Sequence, residues 1–280
     1  MNTLLRNIEQ SASFIHTQTK LRPSIAVVLG SGLGDFAENL SHKTVIDTNQ
    51  IPHYPLSTVV GHKGKLIFGK FNAIPLLAFQ GRVHFYESGD IEKTLYPVHV
   101  AHSLGIKTLI VTNAAGGINT LFTPGNLMLI SDQINLTFQH PMRTTNSSRS
   151  AVSNNNVRGA ARPYYDSALC SIAEKVALQN KIKLQRGVYI GVTGPTYETA
   201  AEIQMFKKMG ADAVGMSTVN EVALANYYGM NVVGFSCITN LATGISASKL
   251  SHEEVTETGN SVKKVFAQLI SAFIQELGTT

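Results

Sequence analysis

Residues 187–217, with the sequence GVYIGVTGPTYETAAEIQMFKKMGADAVGMS, indicate the fold most clearly. The segment starts as a β-branched run, breaks at Gly194-Pro195, and continues with apolar residues at helical spacing as far as Gly210. Glycine at that point is typical of a left-handed helix cap. A second apolar run, residues 213–216, follows directly. This order of strand, turn, helix and strand predicts an α/β fold, in which ligands bind beyond the carboxyl ends of the strands.

Glu198 stands out within this segment because it lies at the predicted mouth of such a crevice. The pattern predicts that Glu198 and Thr199 lie in the first helical turn, where a carboxylate is usually just a favourable partner of the helix dipole. Here the carboxylate follows an aromatic residue, Tyr197. A carboxylate beside a flat ring suits a planar heterocycle that carries N–H donors.

The composition predicts a single α/β domain spanning residues 1–280. No Pro/Ser-rich linker divides the 280 residues, and α/β folds of this size often remain undivided. Charged residues make up 15% of the chain and hydrophobic residues 44%, which fits a protein that buries area in an oligomer. Cys170 and Cys237 lie in apolar periodic segments and are predicted to be buried free thiols.

The charge and hydropathy patterns exclude several classes of partner. The net charge is +5, but no Lys/Arg run is longer than two residues, so we expect no nucleic-acid binding. The same excess of positive charge suits an anionic small molecule. We find no basic region followed by an apolar run at the N-terminus and no apolar run long enough for a membrane span. We therefore expect no membrane partner and a cytoplasmic location.

A glycine-rich loop follows the buried strand predicted at residues 25–29, and it has three interpretations. In a dinucleotide-binding unit the third glycine of the fingerprint would fall at Asp35, although Asp47 keeps an NAD-dependent oxidoreductase open. In an anion loop, the glycines expose backbone N–H groups and Ser31 adds a hydroxyl donor. The third interpretation is a tight turn that binds nothing.

A predicted hairpin, residues 65–71 and 74–80, leads into a short polar sequence. Alternation beyond the second strand places Arg82, His84 and Tyr86 on one side and the two apolar residues between them on the other. An arginine can fork onto an oxyanion, a histidine can shuttle a proton, and a tyrosine can bind a sugar hydroxyl. Their common side favours a binding site over three unrelated surface residues.

Most predicted strands end in a polar or glycine-rich group, and these ends would converge in one sheet. The groups are GSGLG, GRVHFYE, TNAAGG, GPTYET, GMS and TN. A phosphate-sized anion would suit four residues: Ser31, His62, Arg82 and Ser217. A planar base would suit three residues: Tyr197, Glu198 and Asn240. The sequence contains no metal-ligand spacing, Walker A motif or nucleophile elbow.

Eight motifs occur in the order found in one known family. They are VVLGSGLG, VVGHKGKLIFG, FQGRVHFYE, VTNAAGG, GPTYETAAE, VGMSTVNEV, SCITN and SHEEV. Over residues 25–255 the chain resembles a purine nucleoside phosphorylase of the homotrimeric, inosine/guanosine-preferring class. The resemblance implies a single α/β domain with a mixed, partly barrel-like central β-sheet surrounded by α-helices. It also implies a homotrimer.

The resemblance also implies roles for individual residues. The positions that match a phosphate site are Ser31, His62, Arg82, Ala114 (through its backbone N–H) and Ser217. Those around the ribose are Tyr86, Met216 and His252, with His84 beside both subsites. The positions that match the purine site are Ala115, Tyr197, Glu198 and Asn240. Among these, Asn240, Glu198 and His84 are the implied catalytic residues.

The reaction implied is reversible phosphorolysis of inosine and guanosine, ribo- or deoxyribonucleosides, in purine salvage. Inorganic phosphate is the co-substrate and the attacking group, and neither a cofactor nor a metal is expected. Asn240 would donate to N7 of the departing base, and Glu198 would accept from N1–H. Hydrogen bonds that strengthen as charge develops stabilise such a transition state.

Three positions depart from the usual pattern of that family. No phenylalanine or tyrosine lies between Phe138 and Tyr164, where the family has an aromatic that covers the ribose, and the polar sequence there predicts a mobile loop or lid. Tyr197 replaces the commoner phenylalanine, and Leu241 replaces the lysine of the mammalian form. A xanthosine-preferring phosphorylase and a nucleoside-binding protein without catalysis therefore stay open.

Overall fold

A computed structural model describes residues 3–30, 34–59, 62–141, 163–245 and 252–278. Side chains are not described at position 35 or at 252–261, where only the helical backbone is given. Four predictions therefore lie outside the described residues. They concern Ser31 with the rest of its loop, the side chain of His252, the capping box that the pattern Ser251-x-x-Glu254 predicts at the start of the C-terminal helix, and the polar loop predicted over residues 139–163, of which 142–162 are not described.

The described part of the chain forms a nine-stranded mixed sheet. The strands are β1 Ile25–Leu29, β2 Ser41–Asp47, β3 Lys65–Phe71, β4 Ile74–Gln80, β5 Thr108–Gly117, β6 Leu127–Asn135, β7 Leu184–Gly191, β8 Ala213–Gly215 and β9 Asn231–Leu241. Their order is β2-β3-β4-β1-β5-β8-β7-β6-β9, and β9 also pairs with β5. This last pairing closes five strands into a barrel, which confirms the barrel-like sheet implied by the resemblance.

Strand β5 joins the barrel to the open part of the sheet. It lies parallel to β1 on one side and parallel to β9 on the other, and its last two residues pair antiparallel with β8. A strand buried on both faces must be apolar throughout, as Leu109, Ile110 and Val111 are. Its small C-terminal residues, NAAGG, then extend to the rim of the barrel.

Seven α-helices cover the sheet within the described ranges. They are α1 Thr3–Gln18, α2 Phe85–Ser88, α3 Ile91–Ser103, α4 Ser167–Gln179, α5 Ala200–Lys208, α6 Val219–Tyr227 and α7 His252–Leu277. Short 3-10 helices occupy Gly34–Asn39 and Thr48–Gln50. Helix α7 packs against β9 and α4, and α3 packs between α1 and α6.

The apolar core explains why α5 stays close to the barrel. Ile203 and Phe206, one turn apart on α5, pack with Ile190 of β7 and Val214 of β8 in a small separate cluster. The larger core lies around the remaining strands and the other helices, and it includes Cys170 and Cys237 as buried free thiols. The prediction for both cysteines is therefore confirmed.

Several element boundaries confirm the sequence predictions, and others correct them. The ends of β1 and of the β3–β4 hairpin agree with the prediction, and Gly210 has the left-handed φ of 92° expected of a helix cap. The apolar run at residues 109–112 predicts a strand that stops at Thr112, but β5 continues to Gly117 because β8 and β9 supply hydrogen-bonding partners beyond that point. The spacing of Ile203, Phe206 and Met209 predicts one apolar helix face, but Met209 is the C-cap of α5 and is half-exposed.

Candidate active site

A cavity of about 170 Å³ opens at the rim of the barrel. It lies where β5, β8 and β9 end and where the chain leaves β4 and β7. Ten of the predicted site residues line it: Arg82, His84, Tyr86, Ala114, Ala115, Tyr197, Glu198, Met216, Ser217 and Asn240. We call this space the central cavity.

A bulge in β9 directs Asn240 into the central cavity. Ala115 of β5 is opposite Ile238, but the next residue, Gly116, is opposite Asn240, so β9 contains one extra residue. Such a bulge bends the strand and re-aims the side chain that follows it. The Asn240 Oδ1 accepts from Thr239 Oγ1 at 2.9 Å, and Nδ2 donates to the Leu241 carbonyl at 3.1 Å. These bonds fix which end of the amide is the donor.

Close packing of backbone on side chain accompanies this bulge. A methyl group at Gly116 would lie 3.2 Å from Asn240 Nδ2, a contact tight enough to displace the amide. Glycine at this position therefore leaves room for Asn240 in its observed place. The apolar pattern predicts a strand over residues 231–239, but β9 is two residues longer, so Asn240 lies within the sheet.

Glu198 lies in the segment before α5, and the prediction that it belongs to the first helical turn is wrong. Thr199 is the N-cap, with Oγ1 accepting from Glu202 N at 3.2 Å, and the Glu202 carboxylate accepts from Thr199 N at 2.7 Å. Because Thr199 is the N-cap of this capping box, the helix begins at Ala200. Glu198 then projects into the central cavity beside the half-exposed ring of Tyr197.

Burial changes the acidity of Glu198. Desolvation is the larger cause and the neighbouring Glu202 charge a smaller one, and together they raise the pKa of Glu198 above its usual value. A carboxylate that is partly withdrawn from water gains more from an N–H donor than an exposed one. Glu198 is therefore suited to accept a hydrogen bond from a bound ligand.

Arg82 provides a buried positive charge in the wall of the same cavity. Its Nε donates to Glu221 Oε1 at 3.0 Å, and Nη1 donates to the Thr112 carbonyl at 3.1 Å and to Ser217 Oγ at 3.3 Å. Its Nη2 is buried and has no acceptor among the described residues. A buried N–H group without a partner is costly, so this atom indicates a missing acceptor.

His62 and His84 adjoin Arg82, and their partners define their tautomers. The Arg82 backbone N–H donates to His62 Nδ1 at 2.6 Å, so the proton of neutral His62 lies on Nε2. The Nδ1 of His84 lies 3.2 Å from Glu87 Oε1, and since a carboxylate only accepts, that nitrogen carries the proton. The two rings are 5.1 Å apart, and His62, a predicted site residue, does not line the central cavity.

Both histidines are neutral near pH 7. Desolvation, and then the charge of Arg82, lower the pKa of His62. The same two causes lower the pKa of His84 to about 4, against the opposing effect of Glu87. The ring of His84 also stacks on Tyr86 at 4.8 Å, which holds both side chains against the cavity. Neutral His84 presents Nε2 as an acceptor for a hydroxyl hydrogen.

Ser217 is held by a strained γ-turn. Thr218 has φ 74° and ψ −55°, and Val219 N donates to Ser217 O at 2.8 Å. A β-branched residue rarely adopts this conformation, which therefore needs support from its surroundings. Asn113 Nδ2 provides that support by donating to Thr218 Oγ1 at 2.9 Å. Strain of this kind is concentrated at functional sites.

Two carboxylates in this region were missed from the sequence. Glu221 pairs with Arg82, and Glu87 accepts from the backbone and ring of His84 and from Thr58. Both lie within the motifs VGMSTVNEV and GRVHFYE, but neither lines the central cavity. Glu221 is 139 residues from Arg82, so no local sequence pattern connects the two. Glu87 follows His84 by three residues, at helical spacing, and this was a signal that the sequence could have provided.

The fold and the site together define a class of protein. A closed mixed barrel presents a buried arginine, a carboxylate and an amide in one cavity, which suits a transferase that moves a group between a planar base and an anion. In the described ranges, no group of three or more His, Cys, Asp or Glu residues is arranged to hold a metal ion. None of the helices in those ranges is both long and apolar enough to cross a bilayer.

Comparison with known proteins identifies the family. Residues 24–275 match the model of the phosphorylase superfamily. The chain is 45% identical over 269 residues to purine nucleoside phosphorylase 1 of Bacillus subtilis (strain 168), covering 96% of this chain and 98% of the relative. It is 41% identical over 276 residues to purine nucleoside phosphorylase of Rattus norvegicus, covering 96% and 94%.

Solved structures agree with the sequence relatives. The crystal structure of a Schistosoma purine nucleoside phosphorylase in complex with hypoxanthine has a TM-score of 0.86 and 32% identity, and the match covers 99% of each chain. A Schistosoma mansoni purine nucleoside phosphorylase in complex with adenosine has a TM-score of 0.84 and 33% identity, covering 98% of each chain. The chain belongs to the phosphorylase superfamily, and within it to the purine nucleoside phosphorylases, which are pentosyltransferases. The interpretation of residues 30–34 as a dinucleotide fingerprint is set aside on this evidence.

Proposed function

We propose that the enzyme cleaves 6-oxopurine nucleosides, inosine and guanosine, with inorganic phosphate. The products are the free base and (deoxy)ribose 1-phosphate, and the metabolic setting is purine salvage. The observation that carries this proposal is that Glu198 and Asn240 line the same cavity as Arg82. A 6-oxopurine has a ring N–H group from which Glu198 can accept a hydrogen bond. It also has a ring nitrogen to which Asn240 can donate one.

The anion end of the cavity supports phosphate as the attacking group. Arg82 Nη2 has two hydrogens without an acceptor among the described residues, which suits an oxyanion. Ser217 Oγ accepts from Arg82 Nη1, and it lies 3.1 Å from Thr218 Oγ1. When Thr218 donates to it, the hydrogen of Ser217 is left to point at the anion. Ala114 lines the same end.

The neutral histidines support a role between phosphate and sugar. His84 Nε2 accepts a hydrogen bond, so it suits a ribose hydroxyl or a protonated phosphate oxygen. Tyr86 and Met216 line the cavity beside it and would contact the ribose. As the glycosidic bond breaks, the ribosyl group becomes cationic and the phosphate charge stabilises it, while Asn240 and Glu198 stabilise charge on the departing base.

Ligands of relatives are consistent with a purine at the base end. One Schistosoma structure contains hypoxanthine, the 6-oxopurine base of inosine, and another contains adenosine. Hypoxanthine and the adenine of adenosine share a ring system, but position 6 carries an acceptor in the first and a donor in the second. The preference of this enzyme for 6-oxopurines therefore depends on how Glu198 and Asn240 pair with that edge. The homotrimer and the absence of a cofactor stay predictions.

Asn240→Asp tests the base preference. An aspartate only accepts, so beside N7 it can accept from the 6-amino group of adenine, whereas the 6-oxo group of inosine would present it with another acceptor. We expect the ratio of kcat/KM for adenosine to that for inosine to rise at least tenfold, measured at saturating phosphate. The matched control is Asn180→Asp at the end of α4, which does not line the cavity and should leave the ratio unchanged. An unchanged ratio in Asn240→Asp would contradict the assignment.

A further inference from the structure

The ion pair between Arg82 and Glu221 is almost fully buried. Their side chains are 3% and 4% exposed, and Nε and Oε1 are 3.0 Å apart. Glu221 lies in the first turn of α6, where the helix dipole also favours a negative charge. Buried pairs of this kind are costly to desolvate and are not retained for stability alone. A role beyond folding is therefore worth seeking for Glu221.

Glu221 reaches Arg82 from the side away from the substrate. It is absent from the wall of the central cavity and instead lines a separate cavity of about 20 Å³, together with Thr218 and Asn220. Arg82, His84, Met216 and Ser217 line both cavities. Because Glu221 does not line the central cavity and bonds Arg82 directly, we expect its effect on the reaction to pass through Arg82.

The hydrogen bonds of Arg82 define its rotation. A guanidinium has five N–H hydrogens in one plane. Glu221 takes the Nε hydrogen, and Thr112 O and Ser217 Oγ take those of Nη1. The two hydrogens of Nη2 have no acceptor among the described residues. Because the plane is rigid, the bond at Nε and those at Nη1 together determine where these two hydrogens point, and Glu221 holds the Nε side.

We propose that Glu221 is a positioning residue that sets the affinity of the enzyme for phosphate by fixing the rotation of the Arg82 guanidinium. The inference rests on the proposed phosphate site at Arg82. Without the Glu221 bond, the guanidinium can turn about its chain and complete its bonds with Thr112 and Ser217 in other ways. Phosphate would then meet a disordered donor, whereas the base subsite at Glu198 and Asn240 would be unaffected.

Two substitutions separate positioning from charge. Glu221→Gln keeps the length and an oxygen that accepts from Nε, but loses the charge. Glu221→Asp keeps the charge but is one methylene shorter and cannot reach Nε without moving it. We expect Glu221→Asp to raise the KM for phosphate at least tenfold and Glu221→Gln to change it by less than threefold. The KM for inosine should stay within twofold in both.

Binding of phosphate without nucleoside provides a second readout. Inorganic phosphate should raise the melting temperature of the parent and of Glu221→Gln more than that of Glu221→Asp, because a ligand stabilises only the state that binds it. Glu174 forms an exposed pair with Arg186 at the same 3.0 Å, so Glu174→Gln and Glu174→Asp are matched controls with no expected effect.

Three outcomes would overturn the inference. They are a larger rise in KM for phosphate in Glu221→Gln than in Glu221→Asp, no rise in either, or an equal rise for phosphate and inosine. Arg82→Gln distinguishes this failure from that of the proposed function. If Arg82→Gln leaves the KM for phosphate unchanged, phosphate does not bind at Arg82 at all. If it raises that KM while both Glu221 variants do not, only the positioning role is wrong.

Discussion

At the scale of single residues, Glu198 makes function and stability oppose each other. Its pKa is raised, chiefly by desolvation, so the ionised form is less favourable in the folded protein than in the unfolded chain. A carboxyl group with a raised folded-state pKa lowers stability at every pH above that pKa, and this cost disappears as the pH falls below its ordinary value. The proposed role in binding the N1–H group of the base requires this charged form.

Glu198→Gln should therefore reduce activity without reducing stability. Loss of a charge-assisted hydrogen bond costs about 1.5–3 kcal/mol, so we expect kcat/KM for inosine to fall by roughly 10- to 100-fold at pH 7. The melting temperature at pH 7 should equal or exceed that of the parent. In the parent, kcat/KM should fall as the pH is lowered through the raised pKa of Glu198. The pH profile of the variant should not show this decrease.

Glu202→Gln provides the matched control because a glutamine also completes the capping box of α5. It lies four residues from Glu198 and should keep both activity and stability. Near-normal turnover in Glu198→Gln would contradict the base-site role, as would a loss of activity that merely follows a loss of folded protein.

At the scale of the element, the start of α5 connects helix capping with the purine end of the cavity. Thr199 caps the helix, and Glu198 immediately precedes it. The cap holds the segment that carries Glu198 in place, and the packing of Ile203 and Phe206 anchors the helix to the barrel. A defect in the cap should thus affect nucleoside binding as well as stability.

Thr199→Ala should lower the free energy of unfolding by about 1 kcal/mol and raise the KM for inosine several-fold. Asp166→Ala is the matched control, since Asp166 caps α4 through the Leu169 N–H at 3.0 Å but lies away from the cavity. We expect a similar loss in urea unfolding and an unchanged KM. If both variants change KM equally, or neither does, then the cap of α5 has no part in placing Glu198.

The elements also show which features the sequence could predict. Strand β1 and the β3–β4 hairpin were predictable because five buried apolar residues in one and a two-residue turn at Asn72 in the other are local signals. The extension of β5 was not, because NAAGG has low intrinsic strand propensity and pairs only through β8 and β9, which are remote in sequence. The bulge that directs Asn240 into the cavity could not be predicted either, because it depends on the pairing of β9 with β5.

At the scale of the whole molecule, closure of the barrel brings the two ends of the cavity together. Arg82 follows β4 in the open part of the sheet, whereas Asn240 ends β9 in the barrel, and β5 is the strand that adjoins both parts. The expectation that the strand ends converge was enough to predict most of the site residues that line the cavity. The Arg82–Glu221 pair could not be predicted, because 139 residues separate its members and no local pattern links them.

The account depends most directly on one measurement, which follows the ultraviolet absorbance of inosine, guanosine, xanthosine and adenosine with the unmodified enzyme, each with and without inorganic phosphate. We predict phosphate-dependent loss of inosine and guanosine, with adenosine turned over at least tenfold more slowly. Turnover of xanthosine alone would keep the reaction and contradict the base preference. Loss of inosine at the same rate without phosphate, or faster turnover of adenosine than of inosine, would contradict the proposed function itself.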